Sequence, residues 1–220
     1  MEGEVNMAIT VDSRVYIEFI KKAATKIASE KEYVTELDSV TGDGDHWANI
    51  NMGFTSLIEK IPAMEGKDIS SVFKTIGMTM MSKIGGSSGI LYGSAYMAAA
   101  KTCTGMQSLD AEGLYKAYKA MVDEMCARGN AKPGYKTMID ALWPAVETLR
   151  KDLDSGKDDD TILTDFQQAA KDGAMATKNM EAVKGRASYQ TGKGVGHLDP
   201  GAVTMFYQIE ALCNAIREAI

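Results

Sequence analysis

The chain has 220 residues, 45% hydrophobic and 25% charged, which supplies enough apolar material for a buried core and excludes a disordered tail or a fibre. Twenty-four Lys and Arg against 30 Asp and Glu leave a net charge of −6, which argues against a protein living on nucleic-acid phosphates. Three cysteines (Cys103, Cys126, Cys213) lack CxxC spacing, so neither a disulfide framework nor a zinc cluster is indicated, and a reducing, cytoplasmic setting is expected.

The opening MEGEVNMAIT has no basic segment followed by an apolar one, so no secretory signal is read there. Hydrophobic residues then recur at spacings of three and four, which predicts about eight amphipathic helices: 10–35, 46–62, 68–84, 89–104, 109–128, 136–154, 159–182 and 200–219. Val15, Phe19, Ala23 and Ile27 line the first face, and Val72, Ile76, Met80 and Ile84 the third. Leu114, Tyr118, Met121, Val122 and Met125 form another, as do Met138, Leu142, Val146, Leu149 and Leu153, and near the end Val203, Phe206 and Leu212. Ser13 and Ser70 are expected helix caps, and the acidic stretch Asp154–Asp160 a solvated turn. The 15 methionines read as core filler. The weakly polar run Gly89–Ala100 is shorter than the roughly 20 residues a membrane span needs. An all-α antiparallel bundle follows, one domain over 1–220, without strands, internal repeats or a long linker.

Against this background 21 Gly but only 4 Pro is an imbalance. The glycines gather in segments expected between helices: TGDGDHW (41–47), IGGSSGILYG (84–93), RGNAKPG (128–134) and KGRASYQTGKGVGHLDPGA (184–202). Such loops let backbone N–H groups approach a ligand, and where they lead into helices they favour an anion such as phosphate.

Asp38, Asp43 and Asp45 lie at spacings of five and two, and carboxylate oxygens are hard ligands suited to Mg²⁺ or Ca²⁺; an ordinary Asp/Gly turn is the simpler alternative. An EF-hand fails, because Trp47 occupies the next ligand position and no Glu follows at the needed distance. Gly85–Gly89 satisfies the G-x-S-x-G nucleophile elbow, with His197 as a conceivable base, but a helix rather than a strand is expected before it. The loop serves better as a phosphate cradle, with Ser87 and Ser88 as donors. Gly129–Thr137 resembles a P-loop spoiled by Tyr135 before Lys136, and Gly192–Gly196 is too weak for a dinucleotide fingerprint.

Taken together, GDGDHWANINMGF (42–54), IGGSSGILYGSAY (84–96), RGNAKPGYKTMIDALWPAVE (128–147) and GRASYQTGKGVGHLDPGA (185–202) resemble the nucleotide-binding L subunit, or L domain, of dihydroxyacetone kinases, over nearly the whole chain and in family order. The resemblance implies a closed barrel of eight antiparallel helices with the nucleotide site in the loops at one end. By matching positions it makes Asp38, Asp43 and Asp45 the carboxylates that hold two Mg²⁺ ions against the phosphates of ADP or ATP, with His46 and Asn49 on the same loop. Ser87 and Ser88 match the phosphate loop, and Gly129, Thr137 and Met138 the surroundings of adenine and ribose. Arg186, Asp199, Pro200 and Gly201 match the last nucleotide-contacting block, Arg186 acting with the three aspartates in catalysis. Relatives usually carry Gly where this chain has Trp47, a side chain that either points out of the bundle or crowds the loop.

The implied activity is phosphoryl transfer to dihydroxyacetone held covalently by a histidine of a separate K subunit, so the chain is expected to be inactive alone. A phosphohistidine subunit of the phosphotransferase system is the expected donor, rephosphorylating bound ADP in place; exchange of free ATP, as in ketose or sugar-alcohol kinases, is the alternative. A homodimer is the expected assembly. A regulatory module governed by nucleotide state and a serine hydrolase using Ser87 are the competing readings.

Overall fold

The structure is a computed structural model and describes residues 9–219. The reading of the first residues as lacking a signal falls mostly on 1–8, outside the described residues.

Among the described residues the α-helices are α1 (Ser13–Ser29), α2 (Lys31–Thr41), α3 (His46–Met64), α4 (Ile69–Lys83), α5 (Gly86–Thr102), α6 (Ala111–Gly129), α7 (Ile139–Asp154), α8 (Asp159–Ala176) and α9 (Pro200–Ala219). Each of α1 and α3–α9 packs on the next, and α9 returns to α1, which closes a ring of eight helices; α2 lies against α3 and α9. The expected closed, all-α barrel is present. A two-residue antiparallel clip, Val11 with Leu109 and Asp12 with Ser108, is the strand pairing that the periodicity did not indicate.

The barrel is filled. The predicted stripes on α1, α4 and α6 are buried throughout, and large rings complete the interior: Phe19, Phe54, Phe73, Tyr92, Tyr96 and Phe166. Tyr16 meets Phe73 edge-on at 4.7 Å and Tyr118 meets Phe166 at 5.8 Å, favoured geometries for ring quadrupoles. Tyr16 and Tyr118 satisfy each other's hydroxyls at 3.0 Å, and the residual void lined by Tyr92, Tyr96 and Tyr118 is about 10 Å³. Not every methionine fills this core: Met52, Met78, Met81, Met106 and Met175 are exposed, Met78 and Met81 because they lie off the Val72–Ile76–Met80 stripe.

Several boundaries differ from expectation for local reasons. The predicted helix 10–35 is two helices parted at Glu30, where no Gly or Pro marks a break. The Trp47 indole N–H donates to the Ile27 carbonyl at 2.8 Å, and Glu30 N–H reaches the same oxygen at 3.3 Å, so the break has its own partners. Trp47 therefore neither points away nor crowds the loop; it folds back on the α1–α2 elbow, with Lys31 over its ring at 5.0 Å. The caps of α1 and α4 are Asp12 and Asp68, not the serines. Ser13 is the first helical residue, while Ser70 is buried and donates to the Ala100 carbonyl at 2.8 Å, tying α4 to α5. In the acidic turn Asp158 caps α8, and Lys157 pairs with buried Asp152 at 2.7 Å.

The glycines divide into two groups. Gly89 and Gly93 lie inside α5 rather than in a loop, and a Cβ on Gly77 would come within 2.9 Å of the Gly93 carbonyl, so α4 and α5 approach closely because both lack side chains there. The remaining glycines of the 41–47, 128–134 and 184–202 segments stay near the end of the barrel where α3, α5, α7 and α9 begin.

Candidate functional site

Alternation of direction around the ring brings the N-termini of α3, α5, α7 and α9 to one end. There His46, Asn49, Gly86, Ser87, Ser88, Ile139, Pro200 and Gly201 line a common cavity of about 560 Å³. Four positive dipole ends around one cavity make a site for an anion, and at α5 no side chain caps the first turn.

One wall is acidic. Asp38 sits one turn before the end of α2 and is buried, while Asp43 and Asp45 follow on the turn into α3. Their ligand atoms all lie within 4.8 Å of one another, among the described residues the one group of three or more potential metal ligands. Asp38 Oδ2 accepts the His46 backbone N–H at 2.9 Å, which caps α3 and fixes this carboxylate. Burial, then the charge of Asp43, pushes the Asp45 carboxyl above its ordinary value, while Arg186 and a hydrogen bond from Asn49 oppose this. Such crowding of negative charge suits a multivalent cation, and the all-oxygen donor set fits Mg²⁺.

Arg186 lies opposite, in a short 3-10 turn (Arg186–Tyr189), with Nη2 2.7 Å from Asp43 and 3.8 Å from Asp45. At 64% exposure this pair contributes little to stability and is free to exchange for a ligand. The His46 ring is held from below: the Thr204 hydroxyl donates to the Pro200 carbonyl at 3.0 Å, which leaves its oxygen to accept from His46 Nε2 at 2.9 Å. Burial lowers the His46 pKa, with Asp38 opposing, so the neutral ring is favoured.

The α5 terminus is tied in by Asn49, whose side-chain oxygen accepts the Gly85 N–H at 3.3 Å. Across the cavity Leu91, Met125, Met138 and Ile139 form an apolar wall beside Gly129 and Thr137. Asp140, on the first turn of α7, is buried and accepts the N–H groups of Gly134 and Thr137, which sets the shape of that loop. Asp199 caps α9 through the Ala202 N–H at 2.7 Å; burial pushes its carboxyl up to about 7, against that bond and the charge of Lys136.

All fourteen residues singled out in the sequence (Asp38, Asp43, Asp45, His46, Asn49, Ser87, Ser88, Gly129, Thr137, Met138, Arg186, Asp199, Pro200 and Gly201) line this one cavity. His197 does not, and Ser87 stands on the first turn of α5 after a helix, so the nucleophile elbow lacks both its strand and its base. Lys136 and Lys184 also line the cavity and were not singled out. Lys136 is buried with a left-handed φ of 60°, which is why α7 begins at Ile139 rather than at 136; nothing in the sequence except its place in a failed P-loop drew attention to it.

Comparison with known proteins gives a consistent picture. The model of the DAK2 domain matches residues 40–214. The chain is 38% identical over 202 residues to the PEP-dependent dihydroxyacetone kinase ADP-binding subunit DhaL of Escherichia coli, covering 92% of this chain and 96% of that one. It is 35% identical to the ADP-binding subunit DhaL of the PTS-dependent enzyme of Lactococcus lactis, covering 94% and 99%. Among solved structures it is similar to the dihydroxyacetone kinase of C. freundii in its native form (TM-score 0.72) and with AMP-PNP and Mg²⁺ (TM-score 0.69), at 22% identity in both cases. The match covers 97% of this chain but only 36% of that larger protein, and the likeness is one of fold.

Proposed function

The chain belongs to the DAK2 domain family, and from that premise we propose that it is the nucleotide-binding subunit of a dihydroxyacetone kinase. The observation that carries this reading is the cluster of three carboxylates within 4.8 Å at the edge of a cavity ringed by four helix N-termini. Phosphoryl transfer asks a protein mainly for positioning and charge stabilisation, and this arrangement supplies both.

Asp38, Asp43 and Asp45 would hold two Mg²⁺ ions, whose chemistry when bound is to neutralise the charge on the transferring phosphoryl group. The chain's own residues do the rest. N–H groups at the start of α5, with Ser87 and Ser88, receive phosphate oxygens. Thr137, Met138 and Gly129 face the base and ribose, with the apolar wall excluding water. Asp38 fixes the His46 end of the metal loop, and Arg186 is released from Asp43 to supply a planar cationic donor to the phosphates. Asp199 holds the first turn of α9, where Pro200 and Gly201 border the site.

The acceptor, dihydroxyacetone, would be presented by a separate K subunit, and a phosphohistidine protein would recharge ADP in place. Supporting this, the relatives matched end to end are named as ADP-binding subunits of PEP- or PTS-dependent enzymes. The chain itself is expected to assemble as a homodimer in the cytoplasm.

Calorimetry with ADP and millimolar Mg²⁺ tests the reading. The wild type is expected to bind, and Asp43→Ala to lose about 100-fold or more in affinity because the carboxylates act on shared ions. A wild-type chain that purifies without nucleotide and gives no binding heat overturns it. Adding a K subunit and dihydroxyacetone, then comparing free ATP with a phosphohistidine donor, decides the source of the phosphoryl group.

A further inference from the structure

Lys136 is the buried cation of the site, 2% exposed. Its Nζ donates to the Thr177 carbonyl at 2.6 Å and to the His197 carbonyl. Those two carbonyls stand at the two ends of the segment that carries Lys184 and Arg186 over the cavity.

The segment is closed on itself at its base. Gly196 N–H reaches the Lys178 carbonyl at 2.8 Å, Ala182 N–H the Lys193 carbonyl at 2.9 Å, and Asp199 N–H the Thr177 hydroxyl at 3.0 Å. Lys136 joins this base from outside, from the loop that supplies Thr137 and Met138, and Val183 N–H adds a tie to the Tyr135 carbonyl at 3.2 Å. Two features set Lys136 apart from an ordinary structural lysine. Its backbone is left-handed, a conformation that costs any residue with a side chain, and its charge is withdrawn from water without a carboxylate in salt-bridge contact among the described residues. The two carbonyl hydrogen bonds help offset these costs, together with the nearby charges of Asp199 and Asp140.

We propose that Lys136 is a positioning residue: by clamping the two ends of the Thr177–His197 segment, its ammonium sets Arg186 over Asp43 and Asp45 and couples the loop facing base and ribose to the loop facing the phosphates. The coupling rests on the nucleotide reading above; the clamp does not.

Limited trypsin digestion of the nucleotide-free chain tests the clamp. Lys136→Met is expected to raise cleavage between Lys178 and Lys193 about tenfold, as local opening loses hydrogen bonds, while Lys136→Arg retains most of the protection. Equal rates in wild type and the Met variant overturn it. Native-state hydrogen exchange of the wild type gives a second reading that needs no variant to fold: the Ala182 and Gly196 amides should be as protected as those of α9, and free exchange there overturns the clamp.

A double-mutant cycle on ADP affinity in Mg²⁺ tests the coupling. If Lys136 acts through Arg186, then Lys136→Met added to Arg186→Gln weakens binding by no more than about twofold beyond Arg186→Gln alone; fully multiplying effects overturn the coupling. A wild type that binds no ADP sinks the nucleotide reading and the coupling with it, while digestion and exchange still decide the clamp.

Discussion

Asp199 is the site carboxylate whose protonation is most altered by folding. Burial lifts it from 3.8 to about 7, with the Ala202 N–H and the Lys136 charge opposing. The folded chain therefore holds this proton more tightly than the unfolded chain. Between about pH 4 and about pH 7 the unfolded state binds fewer protons, so this group makes stability fall as pH rises through that window. Asp199→Asn keeps a capping oxygen but removes the titration. The melting temperature of the variant relative to wild type is expected to climb from pH 4 to pH 7 and then level off; a constant difference across the range would refute the assignment. At this scale the sequence was informative where chemistry is tied to residue type. Carboxylates at Asp38, Asp43 and Asp45 offer hard oxygen ligands by residue type, although their spacing alone fits an Asp/Gly turn as well. The importance of Lys136 depends on a backbone angle and on carbonyls 41 and 61 residues away, and no residue type signals either.

Helix existence was legible from periodicity, while helix ends were set by contacts distant in sequence. The break at Glu30 is sustained by Trp47, twenty residues from the carbonyl it serves. The true caps, Asp12 and Asp68, sit one and two residues before the serines that looked suitable, and only the turn geometry chooses between them. α7 and α8 show the same dependence. Pro144 deprives the Asp140 carbonyl of its helical donor, and Gly173 on α8 packs directly against that carbonyl and within 2.8 Å of Pro144, measured from an added Cβ. Gly173→Ala gains about 1 kcal/mol of helix propensity. It also forces two backbones apart, and overpacking of this kind costs about 1–3 kcal/mol. The second effect should prevail, lowering the urea midpoint; because Asp140 shapes the Gly134–Thr137 loop, ADP affinity should weaken as well. An unchanged midpoint would mean that α8 shifts freely.

The barrel as a whole separates its work by position along the axis. One end carries the cavity and its charged groups, while the interior is a packed set of rings in which Tyr16 and Tyr118 share a hydrogen bond and the Tyr92 hydroxyl accepts one from Gln208. Tyr118→Phe removes the partner at 3.0 Å from Tyr16, which keeps a bond to Tyr96. The loss is expected to be about 0.5–1.5 kcal/mol in denaturant unfolding, with ADP affinity unchanged within about twofold. A large loss of affinity would show that the interior and the cavity are not independent. The closed ring itself followed from the family resemblance and not from helix count, since amphipathic stripes specify burial but not which helix neighbours which.

The bond between the Trp47 indole and the Ile27 carbonyl also gives the molecule an optical probe of its own. The chain contains two tryptophans, and Trp143 lies on α7 beneath Lys119 and does not line the cavity. Trp47 is the residue after His46, so any movement of the carboxylate turn alters the surroundings of a ring whose N–H is fixed at its far edge. In a Trp143→Phe background, emission from this single fluorophore should change on adding Mg²⁺ with ADP. The occupancy of the site can then be followed in real time without a label.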